Sequence, residues 1–137
     1  MTVRRKVAVP SESGGGLHCP RSPHVGRAPS FTLVDVAEDG SLGTVQVLRS
    51  PVAEGGHGVV ATLLVGEAVT DVVVYGIGEG MRARLVPAGV RIWHDARSET
   101  VEGAVRSLVA GMLAPLEDDD VHPGGHGGHD TPPLSPN

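Results

Sequence analysis

The chain's only cysteine and one of its seven histidines, Cys19 and His24, lie five residues apart in one irregular segment. Proline and glycine punctuate that segment, so it is neither helix nor strand. Thiolate and imidazole are ligands that favour iron–sulfur clusters, copper or zinc. Two residues do not complete a metal site. A structural alternative therefore stays open, with Cys19 as a small buried hydrophobic residue and His24 as a hydrogen-bonding loop residue.

A glycine-rich turn, Gly76-Ile77-Gly78-Glu79-Gly80, follows an apolar segment and precedes a short predicted helix. Free backbone N–H groups at such a point can bind an anion. The spacing differs from the dinucleotide motif G-x-G-x-x-G, and no Gly-Lys-Ser/Thr follows, so the turn is a weak nucleotide motif. Anion binding and close packing of helix against sheet are equally weighted alternatives.

Two further groups of histidines stand beside glycine. His57 lies in Gly55-Gly56-His57-Gly58, just before the first predicted helix, where it could ligate a metal or simply be exposed. His122, His126 and His129 are separated by proline and glycine near the C-terminus. Short histidine-rich tracts bind divalent metals such as nickel, copper or zinc. The alternative for this tract is a solvated tail that binds no metal.

The net charge of −5 comes from the tail. Residues 117–137 contain five acidic residues and no lysine or arginine, which leaves 11 acidic and 11 basic residues in the rest of the chain. This balance gives no basic surface for nucleic acid. No apolar run approaches the ~18 residues that span a bilayer, and a single cysteine fits a reducing compartment. We expect a cytoplasmic protein that binds neither nucleic acid nor membranes.

The remaining sequence predicts the elements that hold these loops. Alternating apolar residues, apolar runs and an Asp39-Gly40 turn indicate a strand, a β-hairpin and then alternating helices and strands. This order predicts an α/β domain over residues 1–116 with a mostly parallel sheet, which the hairpin makes mixed. Residues 117–137 are predicted to be disordered, because they contain almost no apolar side chains. The predicted strands cover 7–9, 31–36, 43–48, 71–75 and 90–93, and the helices 59–68, 81–86 and 100–112.

A set of short motifs extends from about Lys6 to Leu113. It comprises Lys6-Val7-Ala8-Val9-Pro10-Ser11, then Gly16-Leu17, then Ser22-Pro23-His24-Val25-Gly26-Arg27-Ala28-Pro29 with Phe31. Together with the glycine loops at 54–58 and 76–80, this pattern resembles the dinitrogenase iron–molybdenum cofactor biosynthesis family. That family's motif commonly reads Ser-x-His-Phe-Gly-x-Ala. His24, Gly26 and Ala28 match it, whereas Val25 replaces the aromatic residue.

The resemblance implies a ribonuclease-H-like fold with a mixed five-stranded sheet flanked by helices. It also implies a non-enzymatic carrier or accessory protein that binds an iron–sulfur or molybdenum–iron–sulfur cluster. The partner that the resemblance implies is a metallocofactor assembly protein or a client protein. His24 is carried over as a cluster ligand. Cys19 is an addition to the family pattern, and its role as a ligand is our inference. The loops with Cys19–His24, His57 and Gly76–Gly80 are expected to form a pocket at one edge of the sheet.

Two other functions stay open. The chain could be a regulatory or scaffolding module that binds a partner protein, with a tail that binds divalent metal. It could also be a small-molecule enzyme that uses the glycine turn as a phosphate site. The enzyme is the weakest hypothesis, because no set of acid, base and nucleophile accompanies the turn.

Overall fold

In this computed structural model, residues 2–50, 57–116 and 121–122 are described, and they form eight strands and three α-helices. Most of the predicted strands and helices are present, with ends displaced by a few residues. In chain order the elements are β1 Val3–Ser11, β2 Ser30–Ala37, β3 Leu42–Arg49, α1 His57–Gly66, β4 Asp71–Val74, β5 Ile77–Gly78, α2 Glu79–Leu85, a 3₁₀ turn Val86–Ala88, β6 Arg91–His94, α3 Val101–Val109, β7 Ala114–Pro115 and β8 Val121–His122.

The main sheet is mixed and has six strands in the order β3-β2-β1-β4-β6-β7. β1, β4 and β6 are parallel, whereas β2 is antiparallel to both of its neighbours. The predicted count of five is corrected by β7, which pairs antiparallel with Trp93 and His94. β7 has only two residues, which are too few to show the alternation of apolar and polar side chains that predicts a strand. Pro115 is tolerated there because β7 is an edge strand. The fold is thus a single mixed α/β domain with helices on the sheet.

Two apolar clusters cover the two faces of the sheet. Helices α1 and α2 close one face and α3 closes the other, so β1 and β4 are buried on both sides. The cluster under α1 and α2 includes Phe31, Leu33, Leu64, Ile77 and Leu85. The cluster under α3 includes Val7, Val9, Val34, Val105 and Leu108. Aliphatic side chains thus build a core with very few aromatic residues.

The parallel strands bring several loops to one edge of the sheet, which we call the carboxyl edge. β1, β4 and β6 all end there, so the segments 12–29, 75–78 and 95–100 lie side by side. Helix α1 ends near the opposite edge, where Lys6 Nζ donates a hydrogen bond to the Glu67 carbonyl oxygen at 3.1 Å. Its first residue, His57, therefore lies toward the carboxyl edge.

None of the helices in the described ranges is long and apolar enough to cross a membrane.

Candidate functional site

The segment after β1 closes into a compact loop through backbone hydrogen bonds. Ser11 and Arg21 form an antiparallel bridge. The Glu12 N–H donates to the Pro20 carbonyl oxygen at 3.1 Å, and the Ser22 N–H donates to the Pro10 carbonyl oxygen at 2.9 Å. Residues 12–20 therefore form one closed loop, and residues 22–29 form a second turn that leads into β2.

Three buried hydroxyl groups hold the start of this loop. Ser11 Oγ lies 2.7 Å from Ser30 Oγ and 2.9 Å from Thr32 Oγ1. The Gly16 N–H donates to Thr32 Oγ1 at 3.0 Å. Gly14, Gly15 and Gly16 have φ angles of 98°, 63° and 101°, which favour glycine. The hydroxyl cluster thus fixes a left-handed glycine run beside the ends of β1 and β2.

Cys19 is a core residue on the α3 face of the sheet. Its thiol donates to the carbonyl oxygen of Glu12 at 3.4 Å. The Cys19 carbonyl oxygen accepts a hydrogen bond from the Val101 N–H at 3.0 Å, and the Leu17 carbonyl oxygen accepts one from the Glu102 N–H at 2.8 Å. The loop therefore caps the first turn of α3, and Cys19 occupies the place of a small apolar residue.

His24 lies at the surface, on the other side of the sheet. Its N–H donates to Ser22 Oγ at 3.3 Å, while Val25 and Ala28 are buried in the cluster under α1 and α2. These two side chains anchor the turn around Gly26 and leave the His24 side chain exposed. The structure therefore does not bring Cys19 and His24 together, because the Cys19 side chain is buried under α3, whereas the exposed His24 belongs to a turn anchored under α1 and α2.

The glycine turn lies on the same face as His24, since Ile77 packs in the cluster that contains Val25. Gly76 is buried, and Ile77 and Gly78 form β5, which pairs in parallel with β8. Gly78 is extended, with φ −75°, and no heavy atom of the described residues lies within 4 Å of a Cβ built at Gly78 or Gly80. β8 thus covers one side of the turn, and no described side chain fills the space beside Gly78 and Gly80.

Arg21 is a functional candidate that the sequence reasoning missed. Its buried guanidinium stacks on the Tyr75 ring, 4.0 Å from the ring centre. Nη1 donates to the carbonyl oxygens of Asp95 at 2.7 Å and Ser98 at 2.9 Å. Arg21 therefore links the segments that follow β1, β4 and β6. The signal in the sequence is an arginine in this loop, matched by Tyr75 and Asp95 just after neighbouring strands.

The electrostatics of this cluster reflect its burial. Burial lowers the pKa of Arg21, and the charges of Tyr75 and Asp95 act in the opposite direction. Burial acts to raise the pKa of Asp95, but hydrogen bonds from Ser98 and Arg97 and the charge of Arg21 outweigh it and lower that pKa overall. Within the described residues, Nε and Nη2 of Arg21 and Oδ2 of Asp95 have no hydrogen-bond partner. The pair is held mainly by Nη1, the Tyr75 ring and a 3.8 Å contact between Nη1 and Asp95 Oδ1.

The other histidines add no complete metal site. In the part of the chain that the structure describes, no group of three or more His, Cys, Asp or Glu side chains could hold a metal ion. His57 begins α1 and His122 belongs to β8, but their side chains are outside the description. His126 and His129 lie outside the described residues. The described site therefore offers the exposed His24 imidazole and the open backbone at Gly78 and Gly80.

Comparison with known proteins identifies the family and supports the fold. The family described as dinitrogenase iron-molybdenum cofactor matches residues 5–111. No curated protein sequence matches the chain. The apo form of the orange protein from Desulfovibrio gigas is similar in structure, with a TM-score of 0.69, 22% identity, and coverage of 85% of this chain and 100% of that one.

Two further solved structures are similar at the same level. A protein described as a candidate NifB protein from Thermotoga has a TM-score of 0.68 and 27% identity, and the match covers 82% of this chain and 93% of that one. A candidate dinitrogenase from Methanocaldococcus jannaschii has a TM-score of 0.66 and 17% identity, with coverage of 85% and 97%. Since the family match extends from β1 through α3, the chain belongs to the dinitrogenase iron–molybdenum cofactor family.

Proposed function

We propose that this protein binds an iron–sulfur or molybdenum–iron–sulfur cluster as cargo and acts as a non-enzymatic carrier or accessory protein of metallocofactor assembly. Membership of the family supports the general role. The observation that carries the proposal is the exposed His24 turn, which shares one edge and one face of the sheet with the open glycine turn.

The chemistry of the donor set suits a preformed cluster better than a bare metal ion. A bare ion needs three or four protein ligands, and the described residues offer no such group. A cluster brings its own sulfide ligands, so one imidazole can complete it. His24 would coordinate an exposed metal atom. The missing side chains at Gly78 and Gly80 would let cluster sulfur approach the backbone closely.

Anaerobic reconstitution with iron and sulfide tests the proposal, with a second series that also contains molybdate. We expect charge-transfer absorbance in the wild-type protein and at least a ~10-fold loss of cluster affinity in His24→Ala, because losing even a residue that only supports a metal ligand costs about 10- to 100-fold in metal affinity. His18→Ala is the matched control, because the His18 side chain is 93% exposed and lies beside Glu102 on the α3 face. Absence of absorbance, or equal affinity in His24→Ala and His18→Ala, would contradict the proposal.

A second variant separates cluster binding from folding. Gly80 lies in α2 with open space around it, so Gly80→Ala improves helix propensity and meets no neighbour. We expect this variant to fold at least as stably as the wild type but to bind the cluster more weakly, since the methyl group blocks the approach to the backbone. Gly66→Ala, also in open space at the end of α1, is the control that should leave binding unchanged.

We propose the tail histidines as a separate and weaker divalent-metal site. Calorimetry with nickel should lose one binding event when His126 and His129 are both replaced by Gln. Unchanged nickel binding in this double variant would refute the site. Anaerobic reconstitution of the Cys19→Ser variant with iron and sulfide asks whether the thiol ligates the cluster, which stays a prediction.

We also infer that the fold is ribonuclease-H-like. Strands β3, β2, β1, β4 and β6 are consecutive in the sheet, and among them only β2 runs in the opposite direction. This order and direction support the assignment, with β7 as an addition at the edge.

A further inference from the structure

A pocket opens at the outer end of the carboxyl edge, where β2 and β3 meet the glycine run Gly14–Gly16 of the loop 12–20. Its volume is about 370 Å³. Its walls combine small polar groups, backbone and one cation: Ser13, Gly14, Pro29, Ser30, Val47 and Arg49. Among the described residues, no acidic side chain lines it.

The register of the hairpin places Arg49 at this pocket. Arg49 is opposite Ser30 and Val47 is opposite Thr32, so Val47 and Arg49 project from the same face of the sheet. Gly15 lies directly on that face, because a Cβ built there would be 2.5 Å from Val47 Cγ1. The glycine run therefore forms one wall of the pocket, and the Arg49 side chain forms another.

Among the described residues, the charge of Arg49 has no partner. Its side chain is exposed, and within the described ranges it makes no hydrogen bond or ion pair. Three other arginines differ, because their guanidinium groups meet carboxylates: Arg5 at 3.3 Å, Arg21 at 3.8 Å and Arg106 at 2.8 Å. Arg49 is thus a cation at the rim of a pocket that contains no neutralising group.

The loop supplies further donors beside this cation. The N–H groups of Gly15 and Gly16 are used by the Glu12 carbonyl oxygen and Thr32 Oγ1. The Ser13 hydroxyl and the Gly14 N–H enter no such bond among the described residues. One backbone N–H and one hydroxyl beside the cation are therefore available to an anion. A guanidinium group matches the oxygen spacing of an oxyanion.

We propose that this pocket binds a tetrahedral oxyanion, held by the Arg49 guanidinium, the Ser13 hydroxyl and the Gly14 N–H. The site is separate from the proposed cluster site. Val47 is on the face that α3 covers, because the neighbouring pair Val45 and Val34 belongs to that face. The His24 turn packs under α1 and α2 on the other face.

Titration calorimetry with sodium phosphate and with sodium molybdate, at constant ionic strength in chloride, tests this site on the full chain. We expect saturable binding of one anion. Arg49→Gln should weaken it about 10-fold or more, as expected for loss of a charge-assisted contact. The anion affinity of Arg49→Lys should lie between those of the wild type and Arg49→Gln, because lysine keeps the charge but lacks the planar guanidinium group.

Arg91→Gln is the matched control, because Arg91 is also an exposed strand arginine but lies at the opposite edge of the sheet. It should change anion affinity by less than about 2-fold, as is usual for a charge removed far from a site. Since the Arg49 side chain is exposed and makes no hydrogen bond or ion pair among the described residues, Arg49→Gln should keep the wild-type melting temperature and cluster absorbance.

The relative affinities then identify the source of the anion. Tighter molybdate binding would link the pocket to metal supply, and tighter phosphate binding would indicate a phosphorylated ligand. The proposal would be overturned if chloride at equal ionic strength abolished anion binding. It would also be overturned if Arg49→Gln and Arg91→Gln weakened anion binding equally. Neither result depends on whether the cluster binds at His24.

Discussion

The guanidinium carbon of Arg21 lies 4.0 Å from the centre of the Tyr75 ring, although the two residues belong to segments that follow different strands. A cation over an aromatic face is stabilised, and more so away from water. Tyr75 Oη donates to the Ser98 carbonyl oxygen at 3.2 Å, and Nη1 of Arg21 donates to that same oxygen. One buried cluster therefore joins the segments that follow β1, β4 and β6.

Arg21→Lys is expected to destabilise the protein by about 2 to 3 kcal/mol, because a lysine cannot bridge two carbonyl oxygens and stack on the ring together. Urea unfolding followed by the fluorescence of Trp93 measures this free energy. Arg106→Lys is the control, since Arg106 makes an exposed ion pair with Glu102 and should cost less than about 0.5 kcal/mol. An equal loss of unfolding free energy in the two variants would show that the buried Arg21 contacts stabilise the fold no more than an exposed ion pair does.

Asp95 should make stability depend on pH in the acidic range. Its pKa is lowered in the folded protein, so the unfolded chain, with a pKa of about 3.9, takes up the proton first as the pH falls. The stabilisation is complete above the unfolded pKa and is lost as the pH falls through the folded pKa. Asp95→Asn should therefore flatten the decline of unfolding free energy below about pH 4.

Asp39→Asn provides the comparison for that experiment. Hydrogen bonds from Ser41 lower the pKa of Asp39, which gives the same sign, but this carboxylate is exposed at the turn between β2 and β3. Its contribution should be the smaller of the two. If the decline of unfolding free energy at acidic pH were the same in Asp95→Asn as in the wild type, Asp95 would not be its cause.

The parts of the fold that the sequence predicted are those with a local cause. Val72 to Val74 form a buried strand, and Thr100 caps α3, with Thr100 Oγ1 accepting from the Gly103 N–H at 3.1 Å. The pairing of β7 and β8 could not be predicted in this way. Each strand has two residues, and its partner is set by the path of the chain rather than by periodicity.

The candidate site was predictable to a similar degree. The convergence of the loops follows from the parallel strands, and the family motif indicates His24. The separation of Cys19 from His24 was not predictable, because it depends on which apolar cluster each half of the loop enters. Arg21 was missed because a buried ion is defined by partners up to 77 positions away in the sequence.

The Cys19 thiol should react slowly in the folded protein. It is buried on the α3 face and donates to the Glu12 carbonyl oxygen. We expect its reaction with Ellman's reagent to be slower than in urea-unfolded protein by at least about an order of magnitude, since an inaccessible thiol is inert. Equal rates in the two states would mean that the loop opens freely in solution.

Gly15→Ala is expected to be destabilising for two reasons. The residue has a φ of 63°, and a Cβ there would be 2.5 Å from Val47 Cγ1. Strain of this kind costs about 1 to 3 kcal/mol. Val47→Ala removes the two closest contacts of that Cβ, both to Val47 methyl groups. Thermal unfolding should therefore show that the double variant is less destabilised than the sum of the two single variants predicts. Strict additivity would show that the glycine run does not rest on β3.

The two ends of the described chain leave from opposite edges of the sheet. Val3 begins β1 beside Ala37 at one edge, and β8 pairs with Ile77 and Gly78 at the other. A fluorophore or affinity tag placed before Val3 is therefore held away from the His24 turn. A fluorophore or tag attached directly after His122 would lie beside the glycine turn, because His122 pairs with Gly78. Immobilisation through the N-terminus should therefore leave both candidate sites accessible.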